Sequence, residues 1–380
     1  MKIKAAVVKS AGSDYAFETL ELQELAKTDV LVKMVASGIC RSDHTERLGN
    51  LTPFPLVLGH EGAGIVEKIG PDVTDLAVGD HVIITYANCG KCIRCNEGHP
   101  SSCFQWSSLN LGGVNFRGEH VFKNEQGEDI NNFYIQSSFA TYSLADESNL
   151  VKVPKEIDLR ILGPLGCGLG TGSGSVMNVL QPKAGSSIVV IGTGAVGFGA
   201  LMAAKIVGCT TIIAVDINEE RLKLAKELGA TQIFNSQTQR ETLVSEIMAL
   251  TNGIGVDYVV DTSGYNPIMK QALEFLTHGG TFVPLAVSKT DFSLNTFVDL
   301  VIGNKKMEGA LIGNTIPKHH LLRLINYYQQ GQFPFDKFIK FYDFDEIITA
   351  EADLISGRTL KSVLVIDKTY QPPKAGNQNV

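Results

Sequence analysis

In the N-terminal part of the chain the apolar positions come in short bursts punctuated by glycine: AAVV from residue 5, DVLVKMVASGI from 29, GAGIVEKIG from 62 and DHVIITY from 80. Runs of this length, rich in Val and Ile, predict strands, and the glycine turns between them predict a mainly β domain. From residue 185 the rhythm changes. The β-branched run SIVVI is followed by a glycine triplet, by the helical spacing of FGALMAAKIVG and by a second strand, TTIIAVD. The alternation continues through VDYVVDTSG at 256–264, ALEFLTHGGTFVPLA at 272–286 and KKMEGALIG at 305–313. Strands alternating with helical stretches predict an α/β, doubly wound parallel sheet over residues 168–312. A last strand, SVLVID, returns to the first domain, which takes 1–167 and 313–380, and the polar end KTYQPPKAGNQNV predicts a loose tail. Two domains are what a chain of 380 residues needs, since one core rarely grows that large.

Gly192, Gly194 and Gly197 form G-x-G-x-x-G between a strand and a helix, and the second strand ends in Asp216. Strand, triplet, helix, strand and acid in this order specify a dinucleotide site far better than the triplet alone. Gly192 permits a tight turn, Gly194 lets a pyrophosphate approach the backbone, and Gly197 lets the helix pack on the strand. Ala195 and Val196 lie at the same helix N-terminus, where phosphate oxygens are favoured. Asp216 would accept from the adenosine ribose hydroxyls and repel a 2′-phosphate, which favours NAD over NADP; the alternative is a plain helix cap.

A net charge of −7 and a pI near 5.7 argue against nucleic acid as a partner. The opening MKIKAAVVKSAGSDYAF lacks the apolar core of a secretory signal, and no apolar stretch is long enough to span a membrane, so a soluble, cytoplasmic protein is expected. In a reducing compartment, clustered thiols point to metal more than to disulfides. Four of the seven cysteines, Cys89, Cys92, Cys95 and Cys103, fall within fifteen positions. Short spacers let such thiolates close round one zinc in a structural site; an iron–sulfur cluster and a pair of disulfides are the competing readings.

Cys40 in GICRSDH, His60 in LGHEGAG and Cys167 in LGPLGCGLGTGSGS lie far apart, as ligands of a catalytic site do. Two thiolates and one imidazole leave a tetrahedral corner open, the set for Lewis-acid catalysis at zinc. Asp43 is the expected acceptor for the second ring nitrogen of His60, and Glu61 the acid that would tune the metal's charge. Cys209 reads as a small buried apolar residue.

Taken together, GICRSD, GHEGAGIVEKIG, GDHVI, CGKCIRC, LGCG, GTGAVG and AVDIN resemble, in order and over nearly the whole chain, the zinc-dependent medium-chain alcohol dehydrogenases. SSFATYS, GPLGCGLGTGSGSV and FPFDKFIKFYDFDEI are most similar to the aryl (benzyl) and allylic terpene alcohol dehydrogenases among them. The resemblance implies a Rossmann domain inserted in a GroES-like catalytic domain, two zinc ions per chain, and NAD-linked oxidation of a primary benzylic or allylic alcohol. An aliphatic alcohol or polyol is the alternative substrate. It further implies that Ser42 touches the alcohol oxygen, that Arg41 binds pyrophosphate, that Arg221 lies beside the adenosine ribose, and that the enzyme is a homodimer or homotetramer. In some relatives a proton relay ends in a histidine two residues after the acid matching Asp43. Thr45 stands there, with His44 one place earlier, so the relay through His44 is in question. Tyr86, Phe116 and Phe139 are candidate pocket residues, each read equally well as plain core.

Overall fold

A computed structural model describes residues 1–49, 51–287 and 290–373, so residues 374–380 of the expected loose tail lie outside the described residues. The stretch before them is anchored: Leu159 N–H donates to the Tyr370 hydroxyl at 3.1 Å, and the Tyr370 ring packs edge-on to His81.

The chain divides into two compact units, Met1–Cys167 with Ile316–Leu324 and Asp336–Val380, and Gly168–Thr315 with Ile325–Phe335. The expectation gave all of 313–380 to the first unit. Two pieces belong to the second instead, for packing reasons. Gly313 lies so close to the backbone of Gly170, Thr171 and Gly174 that a side chain there would clash, and Phe333 and Phe335 are fully buried.

In the first unit the long strand Asp29–Gly38 is buried almost throughout, as its continuous apolar run requires. It pairs antiparallel with Glu61–Ile69, Tyr142–Asp146 and Lys361–Val365. The register sets Glu61 opposite Gly38 on one side and Val363 opposite Gly38 on the other. Three segments far apart in sequence thus meet immediately before Cys40. The helix Arg41–Leu48 follows, with Cys40 as its N-cap. A second sheet of this unit is built from Leu56–Val57, Lys2–Val8, Tyr15–Leu22, Phe122–Lys123 and Asp129–Ile130.

The second unit holds a parallel sheet in the order Gln232–Asn235, Thr211–Asp216, Ser187–Ile191, Val256–Asp261, Leu276–Pro284, Lys306–Met307. Strand order reverses beside Ser187–Ile191, the position at which such sheets open a ligand crevice. Its core is the β-branched content of those strands, with Val189, Ile213, Val215 and Val259 inaccessible to solvent. The glycine-rich helix Gly168–Gly174 exists to let two backbones touch: a Cβ on Gly172 would sit 1.8 Å from the carbonyl oxygen of Val196 in the helix Ala195–Ile206. Among the described residues no helix is long and apolar enough to cross a membrane.

Candidate active site

Cys40, His60 and Cys167 converge in the first unit, with their donor atoms within 4.8 Å of one another. The two sulfurs are 3.9 Å apart and His60 Nε2 is 3.2 Å from Cys167 Sγ. A tetrahedron built on zinc–sulfur bonds of about 2.3 Å has edges of about 3.8 Å, so the set fits one zinc ion with a corner to spare. The electrostatics agree. Hydrogen bonding from Cys167 holds the Cys40 thiol well below its ordinary range, and the same contact together with burial pushes Cys167 well above.

Asp43 shapes the set from the first turn of the Arg41–Leu48 helix. One of its oxygens accepts from the N–H of Cys40 at 2.9 Å; the other accepts from Gly59 N–H at 3.1 Å and lies 2.9 Å from His60 Nδ1. That contact fixes the tautomer and aims Nε2 toward the sulfurs. Ser42 is exposed, with its hydroxyl 3.6 Å from Cys40 Sγ. Arg41 is exposed beside it. His44 Nδ1 lies 3.4 Å from a carboxylate oxygen of Glu351.

Glu61 is fully buried, and Lys361 Nζ lies 2.9 and 2.8 Å from its two oxygens while also donating to the Ile39 carbonyl at 3.1 Å. Burial pushes the Glu61 carboxyl up, with Lys361 drawing it back. Sequence reasoning missed Lys361, because nothing in SVLVID marks the lysine before it as the partner of an acid 300 residues away. Gly38 is required here: a Cβ would lie 2.0 Å from Glu61 Oε2.

The rings against His60 are Tyr134, stacked with centroids 4.9 Å apart, and Phe133, edge-on at 5.5 Å, with Trp106 edge-on to Tyr134 at 5.6 Å. Of the three aromatic candidates from sequence, Tyr86 and Phe139 are core residues and Phe116 is half-buried. Tyr134 and Ile135 adopt positive φ, 58° and 49°, a backbone irregularity with no sequence signature.

Cys89, Cys92, Cys95 and Cys103 form a second group, with sulfurs 3.6 Å (Cys92 to Cys95) and 4.0 Å (Cys89 to Cys95 and Cys92 to Cys103) apart. None of these is a disulfide. Four sulfurs this close suit a single ion better than a polynuclear cluster. Backbone N–H groups of Cys92 and Cys89 donate to sulfurs at 3.3 Å, as bound thiolates require. Backbone donors pull the Cys92 thiol down to about 6, and burial with its sulfur neighbours pushes Cys95 up to about 12. Cys209 stands apart, buried, its thiol pushed up to about 11 by burial.

In the second unit Gly192 has φ +85°, and a Cβ on Gly197 would lie 1.8 Å from its carbonyl oxygen. A Cβ on Gly194 would meet nothing within 4 Å, so its open side, with the half-exposed Ala195 and Val196, is free for a pyrophosphate. Asp216 is not a helix cap; Asn218 caps the helix Glu219–Leu228, on whose first turn Arg221 sits half-buried. The Asp216 carboxylate is already engaged: one oxygen accepts from Thr193 N–H and Oγ1 at 2.6 and 2.8 Å, the other from the N–H groups of Ile217 and Asn218 at 2.8 and 2.9 Å. It therefore clamps the glycine loop. Asp216→Asn should lower the urea-unfolding stability of the cofactor-free protein by about 1–3 kcal/mol, because it sets an NH₂ against these donors. An unchanged urea midpoint would restrict Asp216 to nucleotide recognition.

A three-donor metal set in a β unit, carried with a glycine-loop parallel sheet, defines a metal-assisted dehydrogenase. Residues 26–155 match the alcohol dehydrogenase GroES-like domain and residues 195–326 the zinc-binding dehydrogenase domain. Geraniol dehydrogenase of Castellaniella defragrans is 35% identical over 364 residues, covering 95% of this chain and 97% of that protein. Among solved structures, benzyl alcohol dehydrogenase from Acinetobacter calcoaceticus is 43% identical with a TM-score of 0.91, over 97% of this chain and 100% of the other. An alcohol dehydrogenase zinc-binding domain protein from Burkholderia ambifaria is 42% identical with a TM-score of 0.92, over 97% and 99%. The chain belongs to the zinc-dependent medium-chain alcohol dehydrogenases, on the side of the family close to the aryl and terpene alcohol enzymes.

Proposed function

We propose that the protein oxidises a primary benzylic or allylic alcohol reversibly to its aldehyde, with NAD as acceptor and two zinc ions per chain. The observation that carries this reading is the set Cys40, His60 and Cys167, which leaves one tetrahedral corner without a protein donor. It occurs in a chain whose relatives are named for a benzylic and an allylic alcohol. Cys40, His60 and Cys167 would hold the catalytic ion, and Cys89, Cys92, Cys95 and Cys103 a structural one, whose four sulfurs leave no position for substrate. When bound, the catalytic zinc supplies a Lewis acid that lowers the pKa of an alcohol oxygen, and the dinucleotide supplies a hydride acceptor.

The chain's own residues do the rest. Ser42, beside Cys40, accepts the hydroxyl proton and passes it to water, since His44 is turned toward Glu351. Asp43 holds the His60 ring in one tautomer. The half-buried rings of Tyr134 and Trp106, backed by the core residue Phe133, give a conjugated substrate an apolar surface. Gly192, Gly194, Ala195, Val196 and Gly197 bind the pyrophosphate, with Arg41 as a further cation, and Asp216 with Arg221 recognises the ribose. The active species is a homodimer or homotetramer.

Ser42→Ala should lower kcat by about 10²- to 10⁴-fold, the range of a lost proton-transfer group, and leave KM for NAD within about twofold. Turnover equal to that of the parent enzyme would remove Ser42 from the chemistry. A panel of benzyl alcohol, geraniol, ethanol and sorbitol, each with NAD and with NADP, tests the substrate reading. The highest kcat/KM is expected for benzyl alcohol or geraniol with NAD, whereas preference for ethanol or sorbitol would move the enzyme to the aliphatic or polyol class.

A further inference from the structure

Glu351 lies on the helix Ile347–Ser356 and is 5% exposed, a buried carboxylate that none of the preceding chemistry uses. A buried charge survives only with partners, and those of Glu351 come from the segment that carries the active-site residues. Arg47, on the last turn of the Arg41–Leu48 helix, donates its Nε to both carboxylate oxygens, at 3.0 and 3.3 Å. His44 Nδ1 lies 3.4 Å from one of these oxygens, and the buried Tyr15 hydroxyl donates to it at 3.2 Å. The Arg47 guanidinium also reaches the carbonyl of Ser13 at 2.9 Å, and Arg47's own carbonyl accepts from Gly12 N–H at 2.8 Å.

The eight-residue helix is therefore held at both ends by buried carboxylates. At its start Asp43 ties it to Cys40, Gly59 and His60. At its end Glu351 ties Arg47 to a second helix. Ser42 lies on the exposed first turn, and among the described residues its hydroxyl has no hydrogen bond beyond the Cys40 sulfur at 3.6 Å. Its hydroxyl is placed by the helix backbone, and the helix is fixed in rotation and height by these two clamps. A helix this short has little intrinsic stability to hold itself in place.

We propose that Glu351 is a positioning residue for the dehydrogenase reaction: through Arg47 it sets the Arg41–Leu48 helix so that Ser42 meets the substrate hydroxyl. Neither Glu351 nor Arg47 touches the reacting atoms. The inference rests on the proton role given to Ser42 above.

The test is Glu351→Gln in the full-length, zinc-loaded enzyme, alone and combined with Ser42→Ala. A misplaced reacting group can cost up to about 100-fold, so kcat for benzyl alcohol should fall about 10- to 100-fold. Zinc content should be unchanged, and Tm should fall by no more than the roughly 10 °C of a broken buried ion pair, so rates are compared well below the melting range. In the Ser42→Ala background the same change should cost less than about twofold more, since it then has no hydroxyl left to misplace. A parent-like kcat for Glu351→Gln, or losses that multiply in the double variant, overturns the inference. Where Glu351→Gln does not fold, Arg47→Lys, which keeps the charge but loses the paired contact, carries the same comparison. An unaffected Ser42→Ala enzyme overturns the proton role and this inference with it. A normal Ser42→Ala loss beside an unaffected Glu351→Gln enzyme overturns this inference alone.

Discussion

Replacing Cys167 by Ala should take the zinc content from two ions per chain to one and lower turnover by at least about 10³-fold. The reasoning starts from the donor count. With Cys167 gone, Cys40 and His60 remain, 3.9 and 3.2 Å respectively from where its sulfur lies. Two donors do not hold zinc against solvent competition, and the several kcal/mol that a Lewis acid contributes at the reacting oxygen are lost with it. Each 1.36 kcal/mol is a factor of ten, so a loss of about 4 kcal/mol gives the figure stated. The four-cysteine group shares no ligand with this set and keeps its ion. Elemental analysis and steady-state rates on one preparation check both halves. Near-normal turnover with one ion per chain would place the chemistry elsewhere.

Lys361→Met should be the most destabilising substitution away from the sulfurs. The side chains of Lys361 and Glu61 are 2% and 0% exposed, with nitrogen and oxygen 2.8 Å apart. Removing one member of a buried ion pair costs about 3–5 kcal/mol, because the other charge is left without a partner in a poorly polarisable interior. On a protein of this size that is a fall in Tm on the order of 10 °C. The control is the double change Lys361→Met with Glu61→Gln, which removes both charges and should recover much of the loss. A single variant melting within about 2 °C of the parent would show that water or rearrangement supplies Glu61 with another partner.

What could be read from sequence divides along the range of the interactions involved. The four clustered cysteines were legible because spacers of two and seven residues leave few ways to arrange the sulfurs. The strand, glycine triplet and second strand ending in Asp216 were legible because each element has its own periodicity and turn chemistry. The clamp of Asp216 on Thr193 was not, since it depends on how two neighbouring parallel strands are registered. Lys361 opposite Glu61, and Glu351 beneath Arg47, were likewise hidden, being contacts across 300 and 304 residues that chain pairing alone creates. The rings against His60 were hidden for a related reason. Tyr86 and Phe139 have the composition of a pocket but the burial of a core, whereas Tyr134 reaches His60 by a left-handed backbone that periodicity does not encode. The domain boundary missed 325–335 because Phe333 and Phe335 look the same in either core.

The segment bearing Cys89 to Cys103 is folded by its sulfurs more than by apolar packing: Ile93 and Phe104 are 57% and 72% exposed, and the short helix Ile93–Asn96 has no buried residue. Such a lobe can open by itself while the sheets stay intact. Treatment with a chelator should then make the bonds around Lys91 and Arg94 susceptible to trypsin well before the rest of the chain is cut. Cutting at this lobe would then report its metal occupancy separately from the integrity of the sheets.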